Sequence, residues 1–142
     1  MDTMQKFSLL ALRLSMGWLF LYAGVTKILD PVWSAEGYLK GAKSFPEFFN
    51  LFLSPSILPV TNLLNEWGLT LIGLSLILGI FVRWASIAGL FLMLLYYFPI
   101  LDFPYPNAHS YIIDEHIIYF VAFLVLLAFR SGRVWGLESR FK

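Results

Sequence analysis

The chain has 142 residues, of which 59% are hydrophobic and 13% charged, with a formal net charge of +1 and no cysteine. A soluble domain carries about a quarter charged residues, so a surface this poor in charge suits lipid, and the near-neutral chain shows no basic stripe for nucleic acid. Without cysteine the chain supplies no disulfide, thiolate nucleophile, iron–sulfur ligand or Cys-x-x-Cys pair.

A helix needs about 20 apolar residues to cross a bilayer core. Four segments qualify in chain order: 7–29, 58–82, 84–101 and 111–129. They predict one all-α domain over 1–142, an integral membrane four-helix bundle. The first span is too long for a signal peptide and lacks a cleavage site, so it is expected to stay as a helix. Phe45 to Leu53 is strongly apolar and opens with Pro46 in a first-turn position, which predicts a short interfacial helix in the first outer loop. The second and third spans are separated by Arg83 alone, which predicts a tight hairpin there or one helix that bends. Pro104 and Pro106 predict an extended cap before the fourth span.

Lys and Arg fix the expected orientation. Lys6, Arg13, Arg83, Arg130, Arg133, Arg140 and Lys142 fall on one side, and Lys27, Lys40 and Lys43 on the other. The richer side is expected to be cytoplasmic, with both termini inside, in a multi-pass protein of the cell (plasma) membrane.

Charge inside a span is costly and usually faces the bundle interior or the interface. At 100° per residue, Gly17, Phe20, Gly24 and Lys27 lie within about 40° of Arg13. This face, with its small residues, is expected to pack inward. Glu66 lies about 12 Å in from the outer end of its span. Orientation then gathers Lys27, Glu66, Asp114, Glu115 and His116 in the outer half, with Tyr96, Tyr97 and Tyr119 at similar depth. Simpler roles are open for each. Lys27 and Glu66 can pair with one another, and Asp114 and Glu115 can serve a helix N-terminus. His116 can be an interfacial histidine. Arg13 and Arg83 can be structural or can reach lipid headgroups. Successive residues differ by 100°, so Asp114, Glu115 and His116 cannot all face inward. The two histidines, His109 and His116, lie on one segment, so one chain cannot ligate a haem between facing helices. No metal-ligand spacing occurs either, and neither metal nor haem is expected.

The segment Arg13-Leu-Ser-Met-Gly17 with Phe20, Gly24-Val-Thr-Lys27 and Pro31 resembles the first-helix motif of the DoxX/DoxD membrane protein family. Glu66-Trp-Gly-Leu-Thr-Leu-Ile-Gly73 with Gly79 and Arg83 resembles its second. The stretch Tyr111-Ile-Ile-Asp114-Glu115-His116-Ile-Ile-Tyr119, and Gly132-Arg133-Val-Trp-Gly136 after it, resemble its end. The resemblance covers nearly the whole chain and implies a four-helix membrane bundle. It also implies a membrane subunit of a quinone-linked oxidoreductase of the DoxD type, which oxidises thiosulfate to tetrathionate with quinone as electron acceptor and works with a second subunit. On that reading Glu66, Glu115 and His116 handle protons, while Lys27, Tyr119 and Asp114 bind the anion or the quinone. Loss of quinone reduction would follow Glu66→Gln. The alternatives are a non-catalytic membrane partner or assembly factor of a redox complex, and a small transporter that would need a homo-oligomer. Membrane lipid is a partner in every case, and nucleic acid in none.

Overall fold

A computed structural model describes residues 1–140, so Lys142, counted above among the cytoplasmic cations, lies outside the described residues. Six α-helices form in the order α1 (Thr3–Leu29), α2 (Glu36–Lys40), α3 (Pro46–Asn50), α4 (Leu58–Leu78), α5 (Val82–Ile100) and α6 (Glu115–Ala128). The described residues form no strand. Helices α1, α4 and α5 are long and apolar enough to cross a membrane, and α6 is a shorter apolar helix. At 1.5 Å per residue α6 spans only about 21 Å, short of the roughly 30 Å of a bilayer core.

The element boundaries differ from the sequence expectation for local reasons. The first helix starts at Thr3 rather than residue 7. Asp2 and Gln5 form a reciprocal capping box that satisfies the first-turn amides. The second helix stops at Leu78 rather than 82, because Gly79 takes a left-handed C-cap (φ +66). The hairpin is therefore the turn at residues 79–81, and Arg83 sits in the first turn of α5 instead of forming the link. The fourth helix begins at Glu115 rather than 111. Ile112 has a positive φ of 59, which helix geometry forbids, and Asp114 caps the start. The expected loop helix over 45–53 is α3 followed by a 3-10 turn at Leu51–Leu53. The sequence reading missed α2, whose five residues are too few to show periodicity. Phe49 of α3 is buried with Ala35 and Leu39, so α2 and α3 form a small apolar cluster over one end of the bundle. Two isolated antiparallel bridges, Asp102 to Tyr105 and Asn107 to Ser110, brace the loop before α6.

Lipid tails are as apolar as leucine, so the helices associate by close packing rather than by hydrophobic expulsion. Helices α1 and α4 run antiparallel and nearly touch along Gly17, Gly24 and Gly73. A Cβ on Gly73 would lie 2.6 Å from the Leu21 Cα and 2.7 Å from the Gly17 carbonyl. Helices α5 and α6 pair in the same way, with the Phe123 ring against Gly89. Between the pairs lies a core that includes Phe20, Leu69, Leu76, Met93, Phe123 and Leu126. Phe20 and Phe123 meet edge to face at 5.1 Å. Outward-facing residues such as Trp18, Leu71, Trp84 and Phe91 are apolar and exposed, as a lipid-facing surface requires.

The two ends of the bundle differ. One carries both described chain ends and the α4–α5 turn, and is called the terminal end here. The other carries α2, α3 and the loop before α6, and is called the loop end. At the terminal end Arg13 is 1% exposed. Its guanidinium donates to the carbonyls of Ser131, Val134 (3.0 Å) and Trp135 (3.3 Å). Its guanidinium is buried against the segment after α6. It does not reach lipid.

Candidate functional site

Two adjoining cavities open at the loop end, of about 270 and 170 Å³. They share Lys27, Tyr96 and His116. Lys27 closes the last turn of α1, where its ammonium lies 5.3 Å from the centre of the Trp33 ring. This cation–π contact is its partner, because among the described residues Lys27 forms no ion pair with Glu66. Tyr96, from the last turns of α5, donates its hydroxyl to Asn65 of α4 at 2.5 Å. Its backbone carbonyl accepts from the Tyr38 hydroxyl of α2. The Tyr38 and Tyr96 rings meet edge to face at 6.0 Å, as do those of Tyr96 and His116. Desolvation, reinforced by Tyr96, Asp114 and Glu115, pushes the Tyr38 hydroxyl well above the usual tyrosine range, so it stays a donor at neutral pH.

His116 is set by the start of α6. The Asp114 side chain is fully buried. Its Oδ1 accepts the amides of His116 (3.0 Å) and Ile117 (3.3 Å), which makes it the helix N-cap. Its Oδ2 lies 2.6 Å from His116 Nδ1. A carboxylate there fixes the proton on Nδ1 and leaves Nε2 as the free ring nitrogen. His116 itself is 19% exposed by side chain. Phe20, Ala23, Leu69 and Met93 supply apolar wall, and Tyr119 completes the smaller cavity. The Tyr119 hydroxyl makes no hydrogen bond among the described residues, whereas that of Tyr96 is already engaged.

The six expected site residues therefore separate. Lys27, His116 and Tyr119 come together, and Asp114 joins them through its hydrogen bond to His116. Glu66 is half-buried and lines neither cavity, and Glu115 is exposed, one residue out of register with His116. Arg83 is exposed at the far, terminal end. One ligand atom each from Asp114, Glu115 and His116 lie within 4.8 Å of one another. The Asp114 oxygens are already occupied by two amides and an imidazole, which leaves that trio poorly suited to hold a cation. Asn65, Tyr96, Trp33 and Tyr38 line the larger cavity but were not in the expected site set. Asn65 and Tyr96 had a signal, since each is a polar group inside a span. Trp33 and Tyr38 lie in a loop and a five-residue helix, where spacing carries no information.

Fold and cavity together define a multi-pass membrane helical bundle with a polar-lined pocket at one end. The DoxX family model matches residues 8–100, and the chain belongs to the DoxX family. The matched stretch includes Lys27, Asn65 and Tyr96, while Asp114, His116 and Tyr119 follow it. No curated protein and no solved structure matches the chain.

Proposed function

We propose that the loop-end cavity receives a quinone headgroup, and that the chain is the membrane subunit of a quinone-linked oxidoreductase. One observation carries the reading. His116, held through Nδ1 by buried Asp114, shares an apolar-walled membrane cavity with a cation, Lys27, and an unengaged phenol, Tyr119. A quinone needs apolar walls and a few hydrogen-bonding groups at its two carbonyls. Tyr119 is free to donate to one carbonyl. His116 can bring a proton to the other from Nε2 when doubly protonated, with Asp114 stabilising the imidazolium. Lys27 draws an anionic donor to the same mouth.

The family resemblance names thiosulfate as that donor. Two thiosulfates joined through a new S–S bond give tetrathionate and release two electrons, and a quinone takes up two electrons and two protons to become a quinol. The residues that line the cavity supply proton handling and charge, and no thiol of this chain takes part. Asp114 is a positioning residue here, and Glu66 and Glu115 stand outside the proton path.

The test is binding of a soluble quinone analogue, and thiosulfate-dependent reduction of it, by the protein purified into lipid nanodiscs. His116→Ala and Tyr119→Phe are expected to weaken quinone binding at least about tenfold while the fold is retained. Wild-type binding in both variants would remove the cavity from the mechanism. Tight binding without turnover would keep the cavity and assign electron delivery to a partner subunit.

A further inference from the structure

At the opposite, terminal end lies a larger cavity of about 460 Å³ between the start of α5 and the end of α6. Three guanidinium-bearing residues line it: Arg83 from α5, and Arg130 and Arg133 from the turn after α6. All three are exposed, and none forms an ion pair among the described residues. Glu138 is the one acid in the lining, so three positive charges and one negative leave a formal +2. Its Oε1 is already committed to the Val82 amide at 2.7 Å, where it caps the first turn of α5. Ile87 and Leu127 form the apolar wall, backed by the fully buried Leu126. The cavity thus has a cationic rim at the helix ends and a hydrocarbon wall running into the bundle.

A second observation concerns Arg130. It follows the C-cap of α6 with φ 47, in the left-handed region where glycine is the usual residue. That step sets Arg130 at the mouth of the cavity, directly after the end of α6. The left-handed step also turns the chain into the 3-10 turn at Ser131–Arg133, which brings Arg133 back to the same cavity.

We propose that this cavity is a binding site for an anionic phospholipid, with the phosphate gripped by Arg83, Arg130 and Arg133 and one acyl chain along Ile87 and Leu127. Guanidinium forks match phosphate oxygens bidentately. Basic pockets between spans at the membrane surface suit anionic headgroups. The apolar wall favours a lipid over a free anion, because a soluble phosphate would leave it uncovered.

The test is native mass spectrometry and thermal unfolding of the purified full chain, with added phosphatidylglycerol or phosphatidylcholine. Phosphatidylglycerol is expected to stay bound and to raise the unfolding temperature more than phosphatidylcholine does. The combined variant Arg83→Gln, Arg130→Gln and Arg133→Gln should lose that preference, by about fivefold in affinity for each arginine removed. Lys6→Gln with Arg140→Gln, basic residues of the same end that do not line the cavity, should keep it. Arg130→Gly separates binding from folding. It relieves the left-handed strain, so the lipid-free protein should unfold no earlier than wild type while its lipid preference falls. An equal preference in the triple and control variants would overturn the site. Equal stabilisation by inorganic phosphate would overturn the lipid assignment.

Discussion

The two ends of the bundle treat buried polarity in opposite ways. At the terminal end Arg13 spends its guanidinium on three backbone carbonyls and serves as a rivet between α1 and the segment after α6. At the loop end Lys27 ends against an aromatic ring, Tyr119 has no partner among the described residues, and His116 keeps one nitrogen free beside a cavity. The lesson is that a charge in a span reveals function by what it leaves unsatisfied. Arg13 and Lys27 share one face of the same helix, but both Arg13 terminal nitrogens are engaged and its one unpartnered donor, Nε, is sealed in the core, whereas the Lys27 ammonium lines a cavity.

Substitutions at three positions test this contrast, from the largest effect to the smallest. Arg13→Leu strips three carbonyls of their donor, that of Ser131 buried and those of Val134 and Trp135 part-buried. A buried unsatisfied group costs about 1–3 kcal/mol, so thermal unfolding in detergent should show a loss of about 2 kcal/mol or more, with the segment after α6 becoming protease-sensitive. An unchanged midpoint would mean that the rivet holds nothing. Asp114→Ala removes the α6 N-cap, at about 1 kcal/mol of stability, and frees the His116 ring. Quinone affinity should fall in this variant, and Asp114→Asn, which can still cap, should recover the stability without recovering the rate. Equal rates for Asn and Asp would deny the carboxylate its orienting role. Glu66→Gln should change quinone binding least, because Glu66 lies outside both loop-end cavities. A large loss there would restore the role that depth along the helix first gave it.

The architecture was legible in the sequence because spans announce themselves by length and apolarity. The inward face of the first helix was legible too, since Gly17, Phe20 and Gly24 are all buried against neighbouring helices. Helix ends were less so. The early stop of α4 depends on the left-handed Gly79, and the late start of α6 depends on Asp114 acting as a cap rather than as a member of the span. The candidate site was half legible. Depth placed Lys27, His116 and Tyr119 together, but depth cannot tell which side of a helix a residue occupies across a bundle, and so it included Glu66 and Glu115. Tyr38 and Trp33 reach the cavity from short loop elements, where no period exists to read. Arg13 illustrates the reverse case: its acceptors lie more than a hundred residues away in sequence and have no signature of their own.

That separation has a consequence for how the chain is made. The carbonyls that Arg13 serves belong to Ser131, Val134 and Trp135, 118 to 122 residues downstream. During synthesis α1 enters the bilayer carrying a cation whose partners do not yet exist. The first helix can pack on α4 early, but its Arg13 contact is formed only once residues 131–135 exist, and a nascent chain cut after Ala128 has every span but no latch.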